Sequence, residues 1–366
     1  MRLALRTVLV AALTATLIGA PAAQAAPSAP GDLVDYKSVV ATAPAKAWKL
    51  HYRSTSATGQ PNTVSGILLV PHTPWTKGAR PLVSYAVGTH GLGDRCAPST
   101  RLTNGSENEV LLMSQALSRG WAVVVTDYEG LGTPGTHTYA VGQSEGRAVL
   151  DAARAASRVP EAGLSKTGPV GVFGYSQGGQ AAAFAGELQP SYAPDVNLVG
   201  VAEGGVPADL NAVLKFNDGG PAFGLVLGAA VGFATAYPEL PFTEVLNAKG
   251  ERAVAKVKEA CTVELGAAAP FARLNDFTTV PNVSSDPRWQ ARLGENLAGK
   301  TKPGAPVFLY HASLDELIPL AVGKGLLDRY RALGADVTWQ EFPLLEHIGG
   351  VSAGGPVAMT WLGTKF

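Results

Sequence analysis

Three stretches of the chain carry the pattern Gly-x-Ser-x-Gly, the spacing that can present a nucleophilic serine on a sharp turn. They are Gly142-Gln143-Ser144-Glu145-Gly146, Gly174-Tyr175-Ser176-Gln177-Gly178 and Gly350-Val351-Ser352-Ala353-Gly354. Such a turn must join a buried strand to a helix, and only Ser176 has both flanks. The apolar run Pro169-Val170-Gly171-Val172-Phe173-Gly174 precedes it, and an Ala-rich helical stretch follows from Gln177. Gly174 and Gly178 free the turn of side-chain collisions. Ser144 opens an amphipathic helix, where a serine ordinarily caps. Ser352 has no histidine after it.

A serine hydroxyl needs a base to take its proton, and the base needs a carboxylate to hold its tautomer. In hydrolases whose serine sits on such a strand–turn–helix elbow, these partners follow the serine in the order acid, then histidine. Of six histidines only His311 and His347 come after Ser176. His311 sits inside an apolar strand-like run and reads as buried and structural. His347, in the loop after the last strand, is the expected base. Asp315 ends the penultimate strand region and is the expected acid, with adjacent Glu316 its competitor. Two backbone N–H groups must meet the developing oxyanion. Gln177, after the serine, supplies one. Thr89 in the early loop Gly88-Thr89-His90-Gly91-Leu92-Gly93 is preferred for the second, and a literal His-Gly frame would choose Leu92.

The elements that must position these groups are legible as a rhythm. Ala47–Ser56 and Thr63–Val70 read as paired strands around Gly59-Gln60-Pro61-Asn62. Apolar runs then alternate with amphipathic stretches, the sign of βαβ units and a mostly parallel α/β sheet. Strands are expected at 81–87, 122–127, 170–174, 197–203, 306–311 and 336–342. Helices are expected at 109–119, 145–159, 177–188, 322–333 and 356–362. Between about 206 and 302 the strand rhythm stops, and that stretch is expected as an inserted helical cap. The core then comprises 26–205 and 303–366.

Inside that insertion, Phe223–Tyr237 is apolar nearly all round, too short and Gly-rich for a membrane span. Gly224, Gly228 and Gly232 fall every four residues, on one helix side. They are expected to leave a smooth groove for an acyl chain, with Leu225, Leu227, Val231 and Phe233 elsewhere. Ordinary close helix packing is the alternative.

Composition bounds the function classes. Of 366 residues, 46% are hydrophobic and 16% charged, with 29 basic and 29 acidic side chains. No basic excess or stripe points to nucleic acid. Arg2 and Arg6, the apolar run Leu3–Ala20 and Ala23-Gln24-Ala25 form a secretory signal pattern covering 1–25. An exported chain beginning near Ala26 would carry 27 basic and 29 acidic residues. Outside the cell, an even count of two cysteines, Cys96 and Cys261, favours a disulfide. No histidine stands at metal-ligand spacing from either.

Three strings together, Asp94-Arg95-Cys96-Ala97-Pro98-Ser99, Asp127-Tyr128-Glu129-Gly130-Leu131-Gly132 and Gly174-Tyr175-Ser176-Gln177-Gly178-Gly179, resemble the secretory lipase family. The resemblance runs from about Tyr36 to the C-terminus. It implies an α/β-hydrolase fold, a cap inserted before the acid-bearing strand, and a Ser176–Asp315–His347 triad. It also implies a bridge from Cys96 toward the cap, in agreement with Cys261. One departure is Val87, where bacterial relatives often carry histidine. The expected activity is hydrolysis of a small-molecule or lipid ester, with a lipid–water interface as one setting. No metal, organic cofactor, nucleic acid or obligate protein partner is implied. Rival readings are an acyltransferase, a non-catalytic binding protein, or an aminopeptidase using Glu203, Glu239 or Glu244 to bind an amine.

Overall fold

The computed structural model describes residues 29–366; the expected signal segment, 1–25, lies outside them. A nine-stranded sheet organises the chain in the order β1-β2-β3-β5-β4-β6-β7-β8-β9. β1 (Leu33–Val39), β2 (Ala45–Thr55) and β3 (Pro61–Pro71) form an antiparallel edge. β4 (Leu82–Ala86), β5 (Ala122–Thr126), β6 (Val170–Tyr175), β7 (Leu198–Gly204), β8 (Val307–Ala312) and β9 (Val337–Phe342) run parallel. The fold is an α/β-hydrolase.

β4, β5, β6 and β8 are buried at every residue, as strands covered on both faces must be. The helices of the core are α1 (Pro98–Asn104), α2 (Val110–Ser118), α3 (Gly142–Ala156) and α4 (Gln177–Tyr192). Between β7 and β8 the chain forms α5 (Leu210–Asn217), α6 (Phe223–Ala236), α7 (Ala248–Lys258), α8 (Thr262–Gly266) and α9 (Pro287–Glu295), and no strand of the sheet. α10 (Leu320–Ala332) and α11 (His347–Leu362) complete the core.

Tyr310 and His311 are consecutive on β8 and face opposite sides. Tyr310 meets Gly354 of α11, whereas His311 meets Gly323 of α10. The Tyr330 hydroxyl of α10 donates to Glu187 of α4 at 3.0 Å, so α10 and α4 share the His311 face. α3 packs tightly on α4, where Gly142 and Gly146 lie against Phe184. α2 packs on α11, with Leu112 against Gly355.

Two local expectations change. Ser144 is not a cap: α3 starts earlier, after Val141, and the buried serine hydroxyl bonds the Glu129 carboxylate and Thr138. Nor does His347 sit in a loop. The Glu346 carboxylate accepts the N–H groups of Ile348 (2.6 Å) and Gly349 (2.7 Å), which starts α11 at the histidine itself.

Candidate active site

Ser176 occupies the turn between β6 and α4 at φ 60° and ψ −123°, a conformation that strains a residue with a side chain. The turn closes because its flanks lack Cβ atoms. A Cβ on Gly174 would lie 1.9 Å from Gly178 O, and one on Gly178 would lie 2.1 Å from Ala86 O. The Ser176 N–H is anchored on Gly204 O at 2.9 Å.

His347 and Asp315 reach this turn from the ends of β9 and β8. His347 Nε2 lies 2.9 Å from Ser176 Oγ, and its Nδ1 lies 2.7 Å from Asp315 Oδ2. The other carboxylate oxygen of Asp315 accepts N–H bonds from Leu317 (3.0 Å) and Ile318 (2.8 Å). Burial alone would raise the Asp315 pKa, but the hydrogen bond and charge of His347 hold it below the ordinary carboxylate value. Glu316 takes a different place, accepting the backbone N–H of His347 at 2.9 Å. His311 is buried, donates from Nε2 to Ile318 O at 2.9 Å and stays off the serine. Ser352 lies inside α11 and bonds Ile348 O at 2.8 Å.

Gln177 and Thr89 line the same cavity as the serine, and neither backbone N–H has an acceptor among the described residues. Leu92 does not fit the donor role, because its N–H already donates to Ala260 O at 2.9 Å. Several residues that support this corner carry no sequence signal of their own. Glu109 Oε1 accepts the Gly88 N–H at 2.8 Å, and Tyr85 donates to its other oxygen at 2.8 Å. The Gln177 side chain donates to Glu145 Oε1 at 2.8 Å and to His137 Nε2 at 3.0 Å. Burial pushes His137 down to about 4, leaving a neutral ring whose Nδ1 donates to Glu129 O. Burial also raises Glu145 to about 8, and its Oε2 has no partner among the described residues. Only side chains brought from distant elements create these partnerships, so spacing could not reveal them.

The serine opens into a cavity of about 640 Å³. Val213 and Leu214 of α5, Leu225, Ala229 and Phe233 of α6, and Trp289 of α9 line it. Leu111 and Leu112 of α2 and Val351 and Pro356 of α11 also line it. The glycines of α6 do not line it, contrary to expectation. A Cβ on Gly224 would lie 1.8 Å from Leu265 O, and one on Gly232 would lie 2.3 Å from Tyr139 O. That side of the helix is pressed against α8 and the 137–141 loop, so the groove lies on the opposite, Leu/Ala/Phe side. Glu203, Glu239 and Glu244 do not line the cavity either. Glu203 is fully buried and driven toward its neutral form, and Glu239 pairs with Arg292 at 2.6 Å. Among the described residues no cluster of His, Cys, Asp and Glu could hold a metal.

Cys96 and Cys261 form a disulfide, with Cα atoms 5.5 Å apart. The bridge ties the loop after β4 to the segment just before α8.

A solved structure of Candida antarctica lipase A in its closed state superposes with a TM-score of 0.85 at 25% identity, covering 92% of this chain and 82% of that one. The rice cell wall degrading esterase LipA of Xanthomonas oryzae shares the fold at 20% identity, with a TM-score of 0.77, covering 92% of this chain and all of that one. Fold and relatives together make this protein a carboxylic-ester hydrolase. It belongs to the secretory lipase family, whose model matches residues 97–366. A secreted triacylglycerol lipase of Malassezia furfur is 31% identical over 299 residues, 77% of this chain and 76% of that protein. A Mycobacterium tuberculosis protein described as a probable inactive lipase is 31% identical over 338 residues, 88% of this chain and 74% of that protein.

Proposed function

We propose that the protein is an exported lipase that cleaves carboxylic esters of medium or long acyl chains through an acyl-enzyme on Ser176. The single observation that carries this reading is the unbroken bond chain Ser176–His347–Asp315 at the floor of the apolar cavity. His347 Nε2 takes the Ser176 proton as Oγ attacks the ester carbonyl. The carbonyl electron pair moves onto oxygen, where the N–H groups of Gln177 and Thr89 receive it. When the C–O bond to the alcohol breaks, His347 returns the proton to the leaving oxygen. Water then repeats the sequence on the acyl carbonyl and frees Ser176. Asp315 keeps the Nδ1 proton in place and stabilises the imidazolium.

The helical insertion serves in this reading as a cap over 206–302, and its cavity side takes the acyl chain. Each CH₂ buried there contributes about 0.8 kcal/mol until the cavity is filled. Leu111 and Ile348 stand at the cavity rim 78% and 63% exposed, suited to meeting a lipid–water interface. A tagged fluorophosphonate followed by peptide mapping tests the nucleophile, and a hydrolysis series from acetate to long-chain esters tests the cavity. Labelling at Ser176 and a rise in kcat/KM with chain length are expected. A folded protein that resists the probe is a non-catalytic relative, and a profile peaking at acetate makes it a short-chain esterase.

A further inference from the structure

We infer that Thr262, on the first turn of α8, is a positioning residue for ester hydrolysis, because it fixes the loop that carries Thr89, the proposed second oxyanion donor. This rests on the ester-hydrolase reading above and adds a residue that the reading does not itself require.

The backbone groups of the loop after β4 can be followed one by one. The Gly88 N–H is held by Glu109 Oε1 at 2.8 Å. Gly88 O accepts from His90 Nδ1 at 2.9 Å, and His90 Nε2 lies 2.9 Å from Glu107 Oε2. That carbonyl belongs to the same planar peptide as the Thr89 N–H, so the buried His90–Glu107 pair orients the donor from the core side. From the other side comes Thr262. Its hydroxyl donates to Thr89 O at 2.6 Å, and its backbone N–H donates to His90 O at 3.0 Å. Leu92 and Gly93 then donate to Ala260 O, and Gly91 pairs with Cys261 as a short antiparallel bridge.

The consequence is a mechanical unit. One residue, Thr262, grips two successive peptides, immediately after the proposed oxyanion donor. It is next to Cys261, whose disulfide to Cys96 returns to the far end of the same loop. Arg95 adds a bond to Glu259 O at 2.8 Å and pairs with Glu264. The helical insertion is thereby fastened to the oxyanion loop at the catalytic centre, and not only packed over it. A donor displaced by a fraction of an ångström loses its advantage for the transition state while ester binding in the cavity persists. The loss should therefore fall on kcat.

Thr262→Val keeps the shape and removes the hydroxyl; Thr262→Ser keeps the hydroxyl and removes the methyl. Thr262→Val should lower kcat by about 10- to 100-fold with KM within about twofold. Thr262→Ser should stay within about threefold of wild type. An alkyl boronic acid, which forms a tetrahedral adduct with a serine, should bind Thr262→Val more weakly by the same factor as kcat/KM. Should the valine variant not fold, Thr262→Ala is read in the same way. Wild-type kcat in the valine or alanine variant, or equal losses in serine and valine, overturns the role of Thr262 alone. A wild-type protein without ester hydrolysis or probe labelling at Ser176 overturns the reading beneath it.

Discussion

Glu316 accepts the backbone N–H of His347 at 2.9 Å, while the imidazole of that histidine reaches the neighbouring Asp315 at 2.7 Å. Two adjacent carboxylates thus grip one residue at different points. Asp315→Asn presents an amide to Nδ1, disfavours the productive tautomer and should lower kcat by ~10⁴. Glu316→Gln still offers an oxygen to the backbone and should cost about tenfold or less. Steady-state kinetics of the two variants on one ester decide this, and a reversed order would falsify the assignment.

Ser176→Ala should lower kcat by about 10⁶, as for a triad acting as a unit. Ser352→Ala removes a hydroxyl bonded only to its own helix and should leave kcat near wild type. Ser144→Ala breaks buried bonds to Glu129 and Thr138, and should cost about 1–3 kcal/mol of stability with activity retained. An inactive but folded Ser144→Ala would overturn the assignment of Ser176 as nucleophile.

Chain-length preference should respond to one side of α6 and not to the other. Ala229→Phe fills the cavity and should shift the preferred ester toward shorter acyl groups, with acetate hydrolysis retained. Gly228→Leu instead drives a side chain at Leu265 and Tyr139. Overpacking of this kind costs about 1–3 kcal/mol, so a lower Tm with an unchanged acyl profile is expected. A shortened profile in Gly228→Leu would contradict the packing seen here.

Glu145 gives a pH test. Its folded pKa is raised by burial from the ordinary 4.5 to about 8. A raised value means its stabilising share is complete below about pH 4.5 and is lost as pH climbs toward 8. Glu145→Gln keeps an acceptor for Gln177 and Ala140 but does not titrate. The variant should gain on wild type by up to ~1.4 kcal/mol per pH unit across that window. Urea unfolding at pH 5 and pH 8 reads it directly, and an equal difference at both would sink the idea.

The Cys96–Cys261 bridge spans a sequence separation of 165. In the chain-entropy account such a bridge contributes roughly 5 kcal/mol. Reduction, or Cys96→Ser with Cys261→Ser, should lower Tm, and intact-mass analysis without reductant should find no alkylatable thiol.

The parallel core and the pairing of the two cysteines were legible in the residues alone, as was the proposal of Ser176 as nucleophile with an acid and then a histidine after it. Each is written in local pattern: two small residues around Ser176, β-branched runs such as Ala122–Thr126, a count of two cysteines. A helical insertion around Phe223–Tyr237 was expected, but which of its sides faces the cavity was not legible. Two sides of an all-apolar helix are both able to be buried, and only Leu265 and Tyr139 arriving from elsewhere settle the choice. The start of α11 at His347 depended on the Glu346 side chain turning back onto two N–H groups. That the Leu92 N–H is taken up by Ala260 O, more than 160 positions away, is likewise invisible in local pattern. Local pattern reports what each residue can do. Long-range packing decides which of its bonding groups are left free to do it.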